Sequence, residues 1–144
     1  MSSESRLVRM IKRQMEIEKR MEKELREQEK SVHNAAARLL LLEVRYDAAK
    51  HAEMLKELLK QIQHAPNTLL WNFKIESYVD AGVVRRKLEE HVKIEADVLR
   101  ELQEQIKREK DEGIKLLLQH ISDDEDKHHK ILEQIVKKSY TIVK

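Results

Sequence analysis

Apolar residues recur along most of this chain at alternating steps of four and three, the spacing that aligns them on one face of a helix. This pattern predicts four long helices. They run from about Glu4 to Lys30, from Ala35 to about Gln63, from about Asp80 to Lys110, and from Asp111-Glu112-Gly113 to about Lys138. Asn34 and Asp80 stand where N-caps are expected, and Ala65-Pro66-Asn67 ends the second helix.

The connections between these helices differ in length. Helices one and two join by a short turn, as do three and four, so each pair is expected to be antiparallel. Between the pairs lies a crossover, residues 64–79, in which Leu69 to Val79 alternates with the period of a strand. The crossover is either a strand, able to pair with its copy in a second subunit, or an ordered loop held by Trp71 and Phe73. The predicted fold is an all-α four-helix bundle with one long crossover.

The two helix pairs are related in sequence. Residues 14–60 recur as residues 91–137, at a constant offset of 77 and without a gap. Fifteen of the aligned positions are identical, and a fixed period of this kind indicates a duplicated unit. We therefore predict one domain over residues 1–144, made of two repeat halves at about 4–63 and 80–140.

The composition narrows the class of protein. Charged residues make up 39% of the 144 positions, with only two Gly and one Pro, which is typical of a nearly all-helical chain. The formal net charge of +2 is too small to indicate a nucleic acid or a membrane surface as partner. The absence of Cys excludes disulfides and thiolate metal sites. Because the sequence shows neither a signal peptide nor a long apolar run, a cytoplasmic location is expected.

Each helix carries polar residues in the middle of its apolar face. The four faces read Leu7, Ile11, Gln14, Glu18, Met21, Leu25; Val44, Asp47 or Ala48, His51, Leu55, Leu58, Ile62; Val84, Leu88, His91, Glu95, Val98, Leu102; and Ile121, Asp124 or Glu125, His128, Leu132, Ile135. In an antiparallel bundle the midpoints of the helices meet at one level, so these acids and imidazoles are expected to converge. Carboxylates buried together need a counter-charge, and a divalent metal ion supplies one.

Carboxylate and imidazole ligands together suit iron, manganese or zinc. The alternative is that so highly charged a chain places some acids on an apolar face by accident, paired with Lys or near the surface. Two acids at repeat-matched positions, level with two repeat-matched His, favour the metal site. No role is assigned to the remaining His at positions 33, 64 and 120, and His129, one position off the apolar face, is expected to point outward.

The segment Asp124-Glu125-Asp126-Lys127-His128 resembles the D-E-x-R/K-H motif of ferritin-like di-iron carboxylate proteins, and the whole chain resembles a rubrerythrin-like member of that superfamily. In that family, helices one and three each give a Glu, and helices two and four each give a Glu-x-x-His. Carried over by position, the resemblance implies five metal ligands: Glu18, His51, Glu95, Glu125 and His128. It also implies that Asp47 and Asp124 orient the two His through hydrogen bonds, with Lys50 and Lys127 in outer ion pairs.

The second helix departs from the family pattern. Its motif reads Asp47-Ala48-Ala49-Lys50-His51, so Ala48 stands where the family has its second bridging Glu. The half of the site formed by Glu95, Glu125 and His128 is intact, whereas the half formed by Glu18 and His51 lacks one carboxylate. Asp47 could swing inward as a ligand, His91 could join from one turn before Glu95, or the second metal could bind weakly or not at all. We expect a bound metal with a weakened second site.

The resemblance implies a non-haem iron protein, with manganese or zinc as alternative metals, that acts as an oxidoreductase on peroxide or dioxygen. Its electrons would come from an external donor such as a rubredoxin-like protein, and a homodimer is expected. The alternative is a metal-binding or structural bundle without turnover, its second site lost at Ala48. A third hypothesis is a helical adaptor that binds partners through the charged segment Lys19 to Lys30, although that segment is more simply a solvated face.

Overall fold

The computed structural model describes residues 4–64 and 81–142, and in these ranges the chain is helical and contains no strand. The helices are α1 (Arg6–Glu29), α2 (Ala35–His64), α3 (Ala81–Arg108) and α4 (Glu112–Ile142). The prediction of an all-α chain with four long helices is confirmed, and the largest difference is at the end of α4, which extends four residues beyond Lys138. The predicted N-cap at Asp80 and the crossover beyond His64, whether strand or loop, lie outside the described residues.

The chain divides into two compact units, Met1–Phe73 and Lys74–Lys144. In the first unit α1 packs against α2, and in the second α3 packs against α4. Because the turns at 30–34 and 109–111 are short, the two helices of each unit run antiparallel. Each unit is therefore a helical hairpin, called here the first hairpin (α1–α2) and the second hairpin (α3–α4).

The most deeply buried apolar side chains described lie in the first hairpin. Val8 and Ile11 come from α1, and Ala48 and Ala52 come from α2. Each pair is three or four residues apart and so lies on one face of its helix. The small Ala side chains project little from this face of α2, and Ala48 is only 2% exposed. A larger residue at that position would have to displace its neighbours.

Side-chain caps begin α1, α2 and α4. Ser5 Oγ accepts a hydrogen bond from the Val8 amide at 3.2 Å. Asn34 Oδ1 accepts from the Ala37 amide, and Asp111 Oδ1 from the Ile114 amide, both at 3.0 Å. The prediction of Asn34 as an N-cap is confirmed. Asp111 lies 77 residues further on, so α2 and α4 begin at equivalent positions of the sequence repeat.

Replacing either matched cap with Ala is expected to lower the free energy of unfolding by about 1 kcal/mol, because an amide at the start of the helix loses its acceptor. Urea unfolding of Asn34→Ala and Asp111→Ala against the wild-type chain measures the change. Asn34→Asp keeps an acceptor at the same place and is the matched control. An equal loss in Asn34→Ala and Asn34→Asp would show that capping is not the cause.

A mostly buried ion pair joins α1 to α2 near the turn of the first hairpin. Glu29 Oε2 accepts from Arg45 Nε at 2.8 Å, and the Glu29 carbonyl accepts from Arg38 Nε at 3.1 Å. Glu22 makes a longer contact of 3.9 Å with Arg45. The apolar periodicity does not predict this pair, because its partners are 16 residues apart on different helices. At the position matching Arg45 the second hairpin has the buried Ser122, so the two hairpins differ here.

Both hairpins keep large apolar side chains exposed. Those that belong to the predicted apolar faces are Leu7, Met21 and Val44 in the first hairpin and Val98 and Ile121 in the second. Part of each predicted apolar face is therefore left uncovered within its own hairpin. None of the helices in the described ranges combines the length and the apolarity that a membrane crossing requires.

Candidate metal centre

Three of the five predicted ligands meet in the second hairpin. Glu95 on α3 and Glu125 and His128 on α4 each offer one ligand atom, and these atoms lie within 4.8 Å of one another. The three-residue step along α4 puts Glu125 and His128 on one face, with 4.0 Å between His128 Nδ1 and Glu125 Oε1. The antiparallel course of α3 brings Glu95 to the same level. Two carboxylates and one imidazole form a donor set that suits iron, manganese or zinc.

The two carboxyl groups of this cluster act on each other. A side-chain hydrogen bond with Glu95, then burial, and then the negative charge of Glu95 raise the pKa of Glu125, while the charge of His128 acts in the opposite direction. A hydrogen bond between two carboxyls requires a proton on one of them. In addition, Glu95 Oε2 is buried with no hydrogen-bond partner among the described residues. A divalent cation would replace the shared proton and satisfy this oxygen.

In the metal-free protein, Glu125→Gln is expected to raise the midpoint of thermal unfolding at neutral pH. A carboxyl whose pKa is raised on folding carries no penalty below its unfolded value, ordinarily 4.5, and destabilises the folded chain as the pH rises through the folded value. The Gln amide keeps a donor for Glu95 without adding a second negative charge.

Thermal unfolding of the metal-free wild type and Glu125→Gln across the acidic to neutral range measures this effect. The difference between them should widen as the pH rises above 4.5, the ordinary pKa of Glu125. Glu104→Gln, on the exposed side of α3, is the control and should show no such trend. A difference that stays constant with pH would contradict the explanation.

The first hairpin arranges the matching residues in a similar way, with one difference. Glu18 on α1 and His51 on α2 face each other, with 3.6 Å between Glu18 Oε1 and His51 Nδ1. Ala48 lies one turn before His51 and offers no ligand atom. By the repeat offset, these positions are those of the cluster in the second hairpin. Each hairpin therefore brings together its own part of the predicted ligand set, and the part in the first hairpin lacks one carboxylate.

The two Asp residues predicted to orient the imidazoles each contact a Lys one turn further along the helix. Asp47 Oδ1 is 2.9 Å from Lys50 Nζ, and Asp124 Oδ1 is 3.8 Å from Lys127 Nζ. The prediction that these Lys residues form outer ion pairs is confirmed. The orienting role of the two Asp residues stays a prediction.

Two other His residues differ in their surroundings. His91, a predicted extra ligand, is exposed on α3 and does not belong to the group of clustered ligand atoms found in the described ranges. The prediction that His129 points outward is wrong: its side chain is 20% exposed, and its Nε2 lies 2.7 Å from Glu133 Oε1. Glu133 follows His129 by four residues, the spacing of a side-chain pair on a helix, so the sequence did contain a signal for this contact.

Comparison with known proteins provides no relative from which a role could be carried over. The chain matches no protein-family model, no curated protein and no solved structure. The assignment of a metal centre therefore depends on the geometry of the described residues, and the resemblance to rubrerythrin-like proteins stays a prediction.

Proposed function

We propose that this chain is a metal-binding helical protein of the ferritin-like, rubrerythrin-like type, and that Glu95, Glu125 and His128 are its principal metal ligands. The observation that carries the proposal is the convergence of their ligand atoms within 4.8 Å of one another. The buried Oε2 of Glu95 supports it, because a buried carboxylate oxygen needs a donor or a cation.

The proposal includes the assembly of hairpins into a four-helix bundle around the metal. The ligand-bearing faces also carry exposed apolar side chains, such as Met21 in the first hairpin and Val98 in the second. A facing hairpin would cover these side chains and bring further ligands. Glu18 and His51 are the further candidate ligands in this chain, and the matched caps of α2 and α4 support an origin of the two hairpins by duplication.

The proposed activity is the reduction of peroxide or dioxygen, for which bound iron supplies the redox chemistry. Reducing one peroxide to two waters consumes two electrons and two protons. The electrons come from an external donor, such as a rubredoxin-like protein, since these 144 residues contain no Cys to hold an iron–sulfur or rubredoxin centre. Glu95, Glu125 and His128 would hold the ion through carboxylate and imidazole atoms.

A metal-binding protein without turnover is the second candidate, and one observation favours it. Ala48 is buried and carries no ligand atom, so at the positions that match the cluster the first hairpin has one carboxylate, Glu18. A second metal ion would then have fewer anionic ligands. Chemistry that needs two metal ions side by side would be lost while binding of one ion remained.

Anaerobic dialysis against Fe(II), followed by metal analysis, tests the proposal. We expect about one to two ions per chain, the range from a half-occupied to a complete di-metal site. Glu125→Ala should lose most of this iron, and Glu104→Ala, which removes an exposed acid from α3, should retain it. A chain that binds no iron under any condition would refute the proposal and favour the adaptor hypothesis.

Consumption of peroxide in the presence of a chemical reductant separates the two candidates. An oxidoreductase should consume peroxide in proportion to its bound iron, with little consumption by Glu125→Ala. A protein that binds iron but consumes no more peroxide than free Fe(II) at the same concentration would be the metal-binding protein without turnover.

A further inference from the structure

The second hairpin holds one complete half of a symmetric metal site. A helical di-metal carboxylate site takes one Glu from each of two helices and a Glu-x-x-His from each of the other two. Glu95 on α3, with Glu125 and His128 on α4, is one half of that set. At the matching positions the first hairpin has Glu18 and His51, with Ala48 in place of the second carboxylate. Two second hairpins, one from each of two copies of the chain, would supply the whole set.

The charge balance favours two identical halves. Two divalent cations carry four positive charges, and two second hairpins bring four carboxylates to meet them. A second hairpin paired with a first hairpin brings three, because Ala48 has no carboxylate. Charge left uncompensated in a partly buried site is unfavourable. Two copies of the second hairpin therefore supply one more carboxylate than the second hairpin together with the first.

The surface around the ligands also suits a second copy. Val98 lies one turn from Glu95 and is 37% exposed, and Ile121 lies one turn from Glu125 and is 47% exposed. The imidazole of His128 is itself 46% exposed. A two-fold interface needs the same patch on both partners, and a patch of ligands flanked by apolar side chains meets that need. Without cations the two acidic clusters would repel each other, so this assembly requires the metal.

We propose that a second copy of this chain completes the metal site: the α3–α4 hairpins of two copies pair about a two-fold axis and hold two metal ions between Glu95, Glu125 and His128 of each copy. The inference rests on the proposed function, because it names the partner of the same metal site.

Anaerobic Fe(II) binding and native mass spectrometry of the full-length chain test the inference. Iron should be carried by a dimer with two ions, and removal of the iron should return the chain to a smaller species. Since iron binding and dimer formation are linked, the Fe(II) concentration for half-saturation should fall by about tenfold when the chain concentration rises by about 100-fold. Glu125→Gln should abolish both the iron and the iron-dependent dimer, and Glu104→Gln should change neither.

The outcomes separate this inference from the proposed function. Iron carried by a monomer, with an affinity independent of chain concentration, would overturn the pairing of copies and leave the metal site standing within one chain. A dimer that persists in Glu125→Gln or without iron would place the interface elsewhere and also overturn the inference. A wild-type chain that binds no iron at any concentration would overturn the proposed function itself.

Discussion

Replacing His128 with Ala is expected to lower the affinity of the protein for Fe(II) by at least about 100-fold, since loss of groups that only support a metal ligand already costs about 10- to 100-fold. The imidazole is one of three donors that lie within 4.8 Å of one another in the second hairpin. The two carboxylates left behind would lose the imidazole donor that completes this set of three. Iron retained after anaerobic gel filtration measures the effect.

Thermal unfolding gives a second readout of the same substitution. Fe(II) at about 100 times its dissociation constant should stabilise the wild-type chain by about 2.7 kcal/mol. For a chain of this size that is a rise of about 5–10 °C in the unfolding midpoint. His128→Ala should lose this rise, while His120→Ala, an exposed position on the same helix, should keep it. If both variants kept the rise, the metal would be bound elsewhere.

Ala48→Glu is expected to increase the iron content toward about two ions per chain, because it restores the carboxylate that a Glu-x-x-His pair requires. The structure also predicts that this substitution lowers the stability of the metal-free protein. Ala48 is 2% exposed, whereas the side chain of Glu125 at the matching position is 24% exposed, so the new side chain must make room for itself. The metal-free variant should therefore unfold more easily than the wild type, by about 1–3 kcal/mol.

Ala48→Gln separates the two effects of this substitution. The Gln side chain has nearly the same size as Glu but is a much poorer metal ligand, so it should lower stability without raising the iron content. Metal analysis and urea unfolding of both variants, with and without Fe(II), make the comparison. An iron content in Ala48→Glu equal to that of the wild type would remove the case for a lost ligand at this position.

Much of the fold follows from the sequence. The four-and-three spacing of apolar residues predicted all four helices, and Asn34 marked the start of α2 because its short acceptor side chain suits an N-cap. The same spacing placed Glu95, His128 and either Asp124 or Glu125 on the apolar faces, and the resemblance to the D-E-x-R/K-H motif implied Glu125. The structure brings Glu95, Glu125 and His128 together. These predictions succeed because they depend on the geometry of one helix or of two helices joined by a short turn.

Other features could not be predicted because they depend on contacts across helices. The Glu29–Arg45 ion pair joins partners on α1 and α2 that share no position in the apolar pattern. The raised pKa of Glu125 comes first from its hydrogen bond with Glu95, which lies on another helix, and the sequence does not specify that distance. The apolar pattern likewise identifies a face of each helix without saying what covers it, as the exposure of Val98 and Ile121 illustrates.

The matched caps determine where the chain tolerates a change of length. Asn34 precedes His51, and Asp111 precedes His128, by the same number of residues. One residue inserted between cap and imidazole would rotate everything after it by about 100° and advance it by about 1.5 Å, turning the ligand away from its face. One residue inserted in the turn ahead of the cap would leave that spacing untouched. The proposed metal centre would therefore fix the number of residues between cap and ligand, whereas the turn ahead of each cap could change in length without altering that spacing.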